Sequence, residues 1–454
     1  MKELLIIGGS DAGISAALRA REVDPSWRVR LVVADGFPNY SICGLPFYLS
    51  GETSRWESLA HRTRSEIEDH GVELLLETIA ERIDPTGHFV HAREPTGVIR
   101  DIAYDRLIIA TGAVPAKPPI RGLETPSVYV LHTMADSFAV HEHLTSRSPK
   151  SAIIVGAGYI GLEMADALCH RRLEVTVFDI GTTVLQTVDP ELGRLVQGEL
   201  ERHDVKVCIG APIEAIEQGG HELAVRDHEG VRARADMVLV ATGVRPSVEL
   251  AKTAGLELGE RGALRVNRAM LSNVLDVYAA GDCVETHHRL VEAPTYLPLG
   301  TTAHKQGRVA GENAVGGRAL FAGSLGTQVV KVFDLVIGRT GFRDDDARRY
   351  GFEPRTVETK AWDHKAYYPG ATELRVRVTG DRRTGRLLGA QLLGSYGAEV
   401  SKRLDVFATA IFHGMQVDAV EQLDLSYTPP LSSPWDPVQT SCMEWARTPL
   451  EGTA

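Results

Sequence analysis

The chain is short of paired cysteines, of basic charge and of long apolar runs, and each shortage closes off a class. Its 454 residues include five cysteines, Cys43, Cys169, Cys208, Cys283 and Cys442. None stands at the spacing of a disulfide scaffold or a zinc site, which fits a reducing compartment. Acidic residues outnumber basic ones, 60 to 49, for a formal charge of -11. A nucleic-acid or anionic-membrane partner selects the opposite sign, so neither is expected. No apolar stretch approaches the ~20 residues needed to cross a bilayer. The N-terminus runs straight into Leu4-Leu5-Ile6-Ile7 and a glycine turn, which is a strand and not a charged lead with an apolar core and cleavage site. His287-His288 and His141-Glu142-His143 lack metal spacing with further ligands, so no metal is expected. A soluble cytoplasmic chain is the default, long enough for two or three domains.

What is there begins with two glycine turns. The first reads Leu4-Leu5-Ile6-Ile7-Gly8-Gly9-Ser10-Asp11-Ala12-Gly13, followed by the helical pattern Ile14 to Ala20. A buried strand entering a tight turn leaves helix N–H groups free to meet a pyrophosphate. Ser10 stands where the usual Gly-x-Gly-x-x-Gly has its middle glycine. Asp35 ends the next strand, expected over Val29 to Ala34, where an acid binds ribose hydroxyls. The second turn is complete: Ala152-Ile153-Ile154-Val155-Gly156-Ala157-Gly158-Tyr159-Ile160-Gly161. Asp179 closes the following strand, Val175 to Phe178, about twenty residues on, as the dinucleotide fingerprint requires. A carboxylate there accepts from the adenosine ribose and repels a 2′-phosphate, and Ile180 to Gln186 offers no Arg or Lys to welcome one. NADH is expected over NADPH.

Two further segments, Leu107-Ile108-Ile109-Ala110-Thr111-Gly112 and Val238-Leu239-Val240-Ala241-Thr242-Gly243, each read as a buried strand ending in a small-residue turn. There the chain would cross between nucleotide domains. A third, Asp276-Val277-Tyr278-Ala279-Ala280-Gly281-Asp282, sets an acid beside a glycine at a strand end, suited to the ribityl hydroxyls of FAD. Cys43 lies in Asn39-Tyr40-Ser41-Ile42-Cys43-Gly44-Leu45-Pro46-Phe47-Tyr48, thirty residues past Gly13. With the next cysteine at 169, its sulfur partner is another molecule or its own oxidised form. Leu45 to Leu49 reads as a helix whose unpaired N–H groups would lower the thiol pKa. Cys169, Cys208 and Cys283 read as small buried hydrophobes. Cys442, close to the C-terminal motif around Tyr427, is open to a second redox role.

These motifs resemble those of the pyridine nucleotide–disulfide oxidoreductases, flavoproteins with two dinucleotide-binding domains. The chain is most similar to their single-cysteine branch of coenzyme A disulfide reductases, NADH oxidases, NADH peroxidases and persulfide reductases. The resemblance covers essentially the whole chain and is carried by Cys43-Gly44-Leu45-Pro46, Gly156 to Glu163, Gly281-Asp282 and Tyr427-Thr428-Pro429-Pro430. It implies an α/β fold: two Rossmann-like dinucleotide-binding domains plus a C-terminal α+β interface domain. An FAD domain would span 1–112 and 244–322, an NADH domain 113–243, and the dimerisation domain 325–454. Leu374 to Val378 and Leu387 to Leu393 alternate like strands of an antiparallel sheet. The rhodanese domain of some relatives is not expected.

The resemblance also implies roles. FAD would be held by Gly8, Ser10, Asp11, Gly13, Asp35, Ala110, Thr111, Gly112, Gly281 and Asp282, and by a helix starting near Gly300, Thr301 and Ala303 whose N-terminus faces the flavin. NADH would be held by Gly156, Gly158, Ile160, Gly161, Asp179 and Gly243, with Tyr159 covering the flavin and Glu163 nearby. Cys43 would be the redox thiol. Tyr427, together with Tyr368 in preference to Tyr367, would reach the partner's site in a homodimer and assist the departing thiolate.

The sequence departs from its relatives at three places. Peroxidases and oxidases of this branch carry a histidine where this chain has Asp11, and an acid does not replace an imidazole in peroxide or oxygen reduction. Coenzyme A disulfide reductases place a basic residue and an asparagine where Glu22 and Ile42 stand; Arg19, Arg21, Arg62 and Arg64 remain to meet phosphate. The resulting expectation is an NADH-dependent flavoenzyme that reduces a small disulfide, persulfide or polysulfide, a coenzyme A thiol among the candidates. An NADH oxidase or peroxidase working through a Cys43 sulfenate is the alternative, and a non-catalytic redox-sensing flavoprotein is the rival from another class.

Overall fold

The computed structural model describes residues 1–447; 448–454, the end of the expected C-terminal domain, lie outside the described residues. Its first sheet is parallel throughout. Strand Glu3–Ile7 lies between Arg28–Val32 and Arg106–Ile109, with Val72–Leu75 beyond the first and Val277–Ala279 beyond the second. Helix α1 (Asp11–Val23) follows the first strand, and the short α2 (Leu45–Ser50) follows the Cys43 turn. The second sheet repeats the plan. Ser151–Val155 is flanked by Glu174–Asp179 and Met237–Val240, with Lys206–Ile209 and Val128–Val130 at the edges. Helix α3 (Tyr159–His170) leaves its glycine turn. Strands covered on both faces have no polar side to show, so Leu4, Leu5 and Ile6 are all 0% exposed.

The chain passes from the first sheet to the second and back through two short strands, Ala113–Pro115 and Val244–Pro246. These pair antiparallel with each other. On its return it adds Val277–Ala279 to the first sheet and forms α4 (Gly300–Ala314), which packs along α1. Gly307 and Gly311 allow this: a Cβ at either would stand 2.2 and 2.1 Å from the Ala12 and Ala16 carbonyl oxygens. That seam puts the start of α4 beside the start of α1.

The C-terminal sheet is antiparallel, in the order Gln328–Val332, Leu335–Gly341, Leu387–Ser395, Glu373–Asp381, Pro354–Trp362. The expected alternation holds at the start of Glu373–Asp381, but Leu387–Ser395 is buried at every position except its last. The reason is cover on both sides. Helix α5 (Val400–Phe412) packs against it. From the other side Asp189 meets Gln391, whose side chain accepts from the Asp189 N–H at 2.7 Å and donates to its carboxylate at 2.8 Å. Helix α6 (Pro437–Ala446) covers the outer strands. Among the described residues no helix is long and apolar enough to cross a membrane.

Candidate active site

The two glycine turns have the same skeleton. Gly8 and Gly156 both take positive φ, +117° and +112°, and a Cβ on them would meet the Ala110 and Ala241 carbonyl oxygens at 2.0 and 2.3 Å. Gly13 and Gly161 are forced by close approach to Gly8 and Gly156, at 1.8 and 1.9 Å. The middle position is different. Gly158 sits at φ -81°, ψ -169°, with nothing within 4 Å of a Cβ, and Ser10 takes nearly the same conformation, φ -98°, ψ -162°. A side chain is therefore tolerated there. No side chain caps α1, α3 or α4, so their first N–H groups remain available to an anionic ligand. Ordered glycine cradles with open helix ends fit two dinucleotides.

The small-residue turns close the floor. Thr111 Oγ1 donates to the Ser247 carbonyl at 2.7 Å, Ser247 N–H to Gly112 at 2.9 Å and Ala116 N–H to Gly243 at 2.9 Å. Gly281, at φ +88°, faces Ala12 and Ala303 across the seam. Asp282 follows it, and burial, then the charge of Asp11, push its carboxyl up to about 6. Asp35 lies beyond the end of its strand, at an exposed bend, accepting from Phe37 N–H at 2.9 Å. Thr301 is exposed at the first turn of α4 and Ala303 is buried.

Asp179 is held more tightly. One oxygen accepts from Ala157 N–H at 2.7 Å; the other accepts from Gly181 N–H at 2.7 Å and Gln186 Nε2 at 2.9 Å. Tyr159 and Ile160 open α3, both half-buried. Tyr159 receives a 3.4 Å hydrogen bond from Thr187, near the buried guanidinium of Arg339. One turn on, Glu163 has its carboxyl raised to about 7, first by burial and then by Asp166, with Lys331 opposing.

Cys43 is an exposed free thiol in the three-residue turn Ile42–Gly44 before α2. Its loop is pinned to the segment 59–61: Ser41 N–H donates to Leu59 at 2.8 Å and His61 N–H to Asn39 at 2.9 Å. The expected lowering of its pKa is reversed. The thiol is raised, first by desolvation from the protein around it, then by Glu163, Asp11 and Asp282. One backbone hydrogen bond at Cys43 opposes them. A tight turn and a six-residue helix supply too little helix field to offset desolvation and, after it, three carboxylates.

Beside Asp11 lies a histidine that sequence reasoning passed over. His304, on the second turn of α4, places Nε2 3.3 Å from Asp11 Oδ1 and Nδ1 2.8 Å from Ser15 Oγ. Its ring lies 6.3 Å from that of His61. Helical spacing was the available signal, since Asp11 and Ser15 are four apart on α1 and Gly300 and His304 four apart on α4.

Other candidates fall outside this cluster. Tyr367, Tyr368 and Tyr427 are exposed at 73, 42 and 44%, and no hydrogen bond or ring contact among the described residues joins them to Cys43. Their two loops are tied by Lys365 N–H to the Pro429 carbonyl at 3.2 Å and by Arg403. Arg403 donates to the Asp363 carbonyl at 2.6 Å and pairs with Asp436 at 3.0 Å. Cys442, on α6, is fully buried against the C-terminal core, and burial pushes its thiol far up, which weighs against a second redox role. Arg19 is committed to Glu312 at 2.6 Å and Glu22 at 2.9 Å, Arg21 to backbone carbonyls, and Arg64 to Glu68. They are poorer phosphate ligands than the sequence suggests. No group of three or more metal-type ligands occurs among the described residues.

Known proteins resemble this chain along nearly its whole length. The family described as pyridine nucleotide-disulphide oxidoreductase matches residues 2–307, and the dimerisation domain of that family matches 327–437. The chain is 35% identical over 438 residues to the CoA-dependent NAD(P)H sulfur oxidoreductase of Pyrococcus furiosus, covering 96% of this chain and 97% of that one. It is 32% identical over 436 residues to an NADH oxidase of Methanocaldococcus jannaschii, covering 96% of each. The solved structure of an NAD-dependent persulfide reductase from A. fulgidus superposes with a TM-score of 0.93 at 36% identity, over 98% of this chain and 83% of that one. Paired glycine cradles, a lone exposed thiol and likeness along nearly the whole length agree: the chain belongs to the pyridine nucleotide-disulphide oxidoreductase family.

Proposed function

We propose that this chain is a single-cysteine, FAD-dependent NADH reductase of sulfur–sulfur bonds, acting on a small disulfide, persulfide or polysulfide. The observation that carries the reading is Cys43, an exposed free thiol within electrostatic reach of Asp11 on α1, Glu163 on α3 and Asp282 beyond Gly281. Charges from both nucleotide units thus converge on one sulfur. FAD would be held by Gly8, Ser10, Gly13, Asp35, Ala110 to Gly112, Gly281, Asp282 and the start of α4. NADH would be held by Gly156 to Gly161, Glu163, Asp179 and Gly243. FAD supplies the electron carrier between NADH and sulfur. Cys43, as thiolate, attacks the substrate sulfur and forms a mixed disulfide.

The domain boundaries that go with this reading are 1–112 with 244–322, 113–243, and 325 onward. Asp179, fixed by three hydrogen bonds at the strand end, favours NADH, because a 2′-phosphate would meet an anchored carboxylate. The names of the Pyrococcus furiosus and A. fulgidus relatives, a CoA-dependent sulfur oxidoreductase and a persulfide reductase, favour sulfur or persulfide as substrate and coenzyme A as a requirement. A homodimer fits the matched dimerisation domain and the exposed Trp362, Tyr367, Tyr396, Tyr427, Leu431 and Trp435 of the C-terminal unit. In that dimer Tyr427 and Tyr368 would enter the partner's site. A cytoplasmic setting suits the free thiols.

A second reading, reduction of O2 or peroxide through a Cys43 sulfenate, has one observation in its favour. His304 restores an imidazole beside Asp11, offsetting the histidine missing from the first turn. Anaerobic NADH oxidation across coenzyme A disulfide, coenzyme A persulfide, glutathione disulfide, polysulfide and peroxide, with oxygen as a separate arm, ranks the two. The first reading expects sulfur compounds to dominate and Cys43→Ser to abolish their turnover. A Cys43→Ser enzyme with full sulfur turnover would overturn it.

A further inference from the structure

The segment 185–189 touches the second nucleotide cradle on one side and the C-terminal sheet on the other. We infer that Arg339 and Arg343, from the C-terminal unit, are positioning residues for the NADH site and act through this segment. The inference rests on the reading of the second glycine turn and Asp179 as that site.

Toward the cradle, three consecutive residues each meet a different part. Leu185 N–H donates to the Ala157 carbonyl, inside the glycine turn, at 2.9 Å. Gln186 Nε2 donates to the Asp179 carboxylate at 2.9 Å. Thr187 Oγ1 donates to the Tyr159 hydroxyl at 3.4 Å. Leu185 does this at φ +51°, a conformation that a residue with a Cβ keeps only where its surroundings fix it.

Toward the C-terminal sheet, three consecutive carbonyls are gripped by two arginines. Arg343 Nη1 donates to the Gln186 carbonyl at 3.0 Å and to the Val188 carbonyl at 2.9 Å. Arg339 Nη1 donates to the Thr187 carbonyl between them at 3.0 Å. Both guanidiniums are themselves tethered, Arg339 by donating to the Gly341 carbonyl and Arg343 by Asp346 at 3.3 Å. Asp189 ends the grip, with its N–H on Gln391 at 2.7 Å and its carboxylate 3.0 Å from Arg377 Nε. Below these contacts Val184, Leu185 and Val188 share one buried cluster with Val332, Ile337 and Leu393 of the sheet.

The residue type suits the task. A guanidinium is planar, permanently charged and rich in N–H donors, so it can hold neighbouring carbonyls in one fixed arrangement. The acid and the glycines of the NADH cradle thus lie on the inserted unit, while the hold on the segment that braces them comes from 339 and 343. The first cradle has no counterpart at its acid: Asp35 accepts from Phe37 N–H within its own bend. Loosening the segment should therefore be felt by NADH and not by FAD.

The test uses the FAD-loaded full chain and replaces Arg343, which holds two of the three carbonyls. Arg343→Ala should weaken the Kd for NADH about tenfold, as expected for losing charge-assisted hydrogen bonds. Bound flavin should be retained, and the loss should fall on the KM for NADH, with kcat lowered less than about twofold. A second readout needs neither turnover nor NADH. Hydrogen exchange followed by mass spectrometry should quicken at the N–H groups of Ala157, Gly181 and Leu185, which bond within the braced cradle, and stay unchanged at the first turn, residues 8–13. An unchanged Kd for NADH, or flavin lost together with NADH, or exchange that quickens equally in both turns, overturns the inference. Gly161→Ala separates the two claims. If that variant keeps its NADH affinity, the NADH reading of the second turn fails whatever Arg343 does. If it loses NADH and Arg343→Ala does not, the positioning inference alone fails.

Discussion

The two glycine turns share backbone conformation and close contacts, yet they open onto different surroundings. At the first helical position one carries Asp11, set toward His304 and Gly300. The other carries Tyr159, half-buried near Thr187 and Arg339. Beyond the turns, Asp35 is exposed with a single local bond, whereas Asp179 is held by three. The repeated glycines thus serve the backbone and its ligand, while the residues between and after them serve chemistry. The difference separates what a nucleotide fold needs from what this protein does with it.

That separation can be broken experimentally, starting at the chemistry. Cys43→Ser should reduce sulfur turnover by about 10³-fold or more while leaving both cradles intact, seen as retained flavin and retained NADH affinity. Next, Gly13→Ala should lose flavin and Gly161→Ala should lose NADH affinity with flavin retained, each by about 10²-fold, because the new Cβ meets backbone oxygen and not a movable side chain. Spectra and NADH titration distinguish the two; loss of both ligands in both variants would show that the units are not separable. Asp179→Ala should lower kcat/KM for NADH about tenfold and narrow the gap to NADPH, and an unchanged ratio would remove the specificity argument.

Two smaller effects test the local electrostatics and the tolerated serine. Glu163 has a native pKa of about 7, above its ordinary value of 4.5. The native state therefore binds this proton more tightly than the unfolded chain, and stability falls as pH rises from 4.5 through 7. Glu163→Gln should raise Tm at pH 8, by about 1–3 kcal/mol of stability, and leave it nearly unchanged at pH 4. Ser10→Gly should shift stability by less than about 0.5 kcal/mol, since position 10 already has the conformation that Gly158 adopts.

Local features were legible in the sequence because local physics demands them. Gly8, Gly13, Gly156 and Gly161 face carbonyl oxygens that exclude any side chain, so their spacing announces the turns. Cys43 was recognisable as a lone thiol, but the direction of its pKa was not, because the burial that raises it first, and then the acids acting on it, come from elements far apart in the chain. His304 was missed for the same reason: 289 residues separate it from Ser15, and only the α1–α4 seam brings them together. Leu387–Ser395 lost its alternation to packing on both faces, one side of which is the Asp189–Gln391 contact. The tyrosines at 368 and 427 were placed by resemblance, and the single chain leaves both exposed.

The paired strands Ala113–Pro115 and Val244–Pro246 place the two ends of the second nucleotide unit side by side. Topologically the unit is a cassette plugged into its host through one two-pin connector. Gly112 and Ser247, the host residues flanking the connector, are already hydrogen-bonded to each other at 2.9 Å, so excising the cassette leaves a gap that a short turn can bridge with little closure entropy. The same connector allows exchange: a unit carrying a different acid or base at the Asp179 position meets the host at the same two pins. Pyridine nucleotide preference is then carried on the inserted unit, which also carries Glu163, one of the acids acting on Cys43.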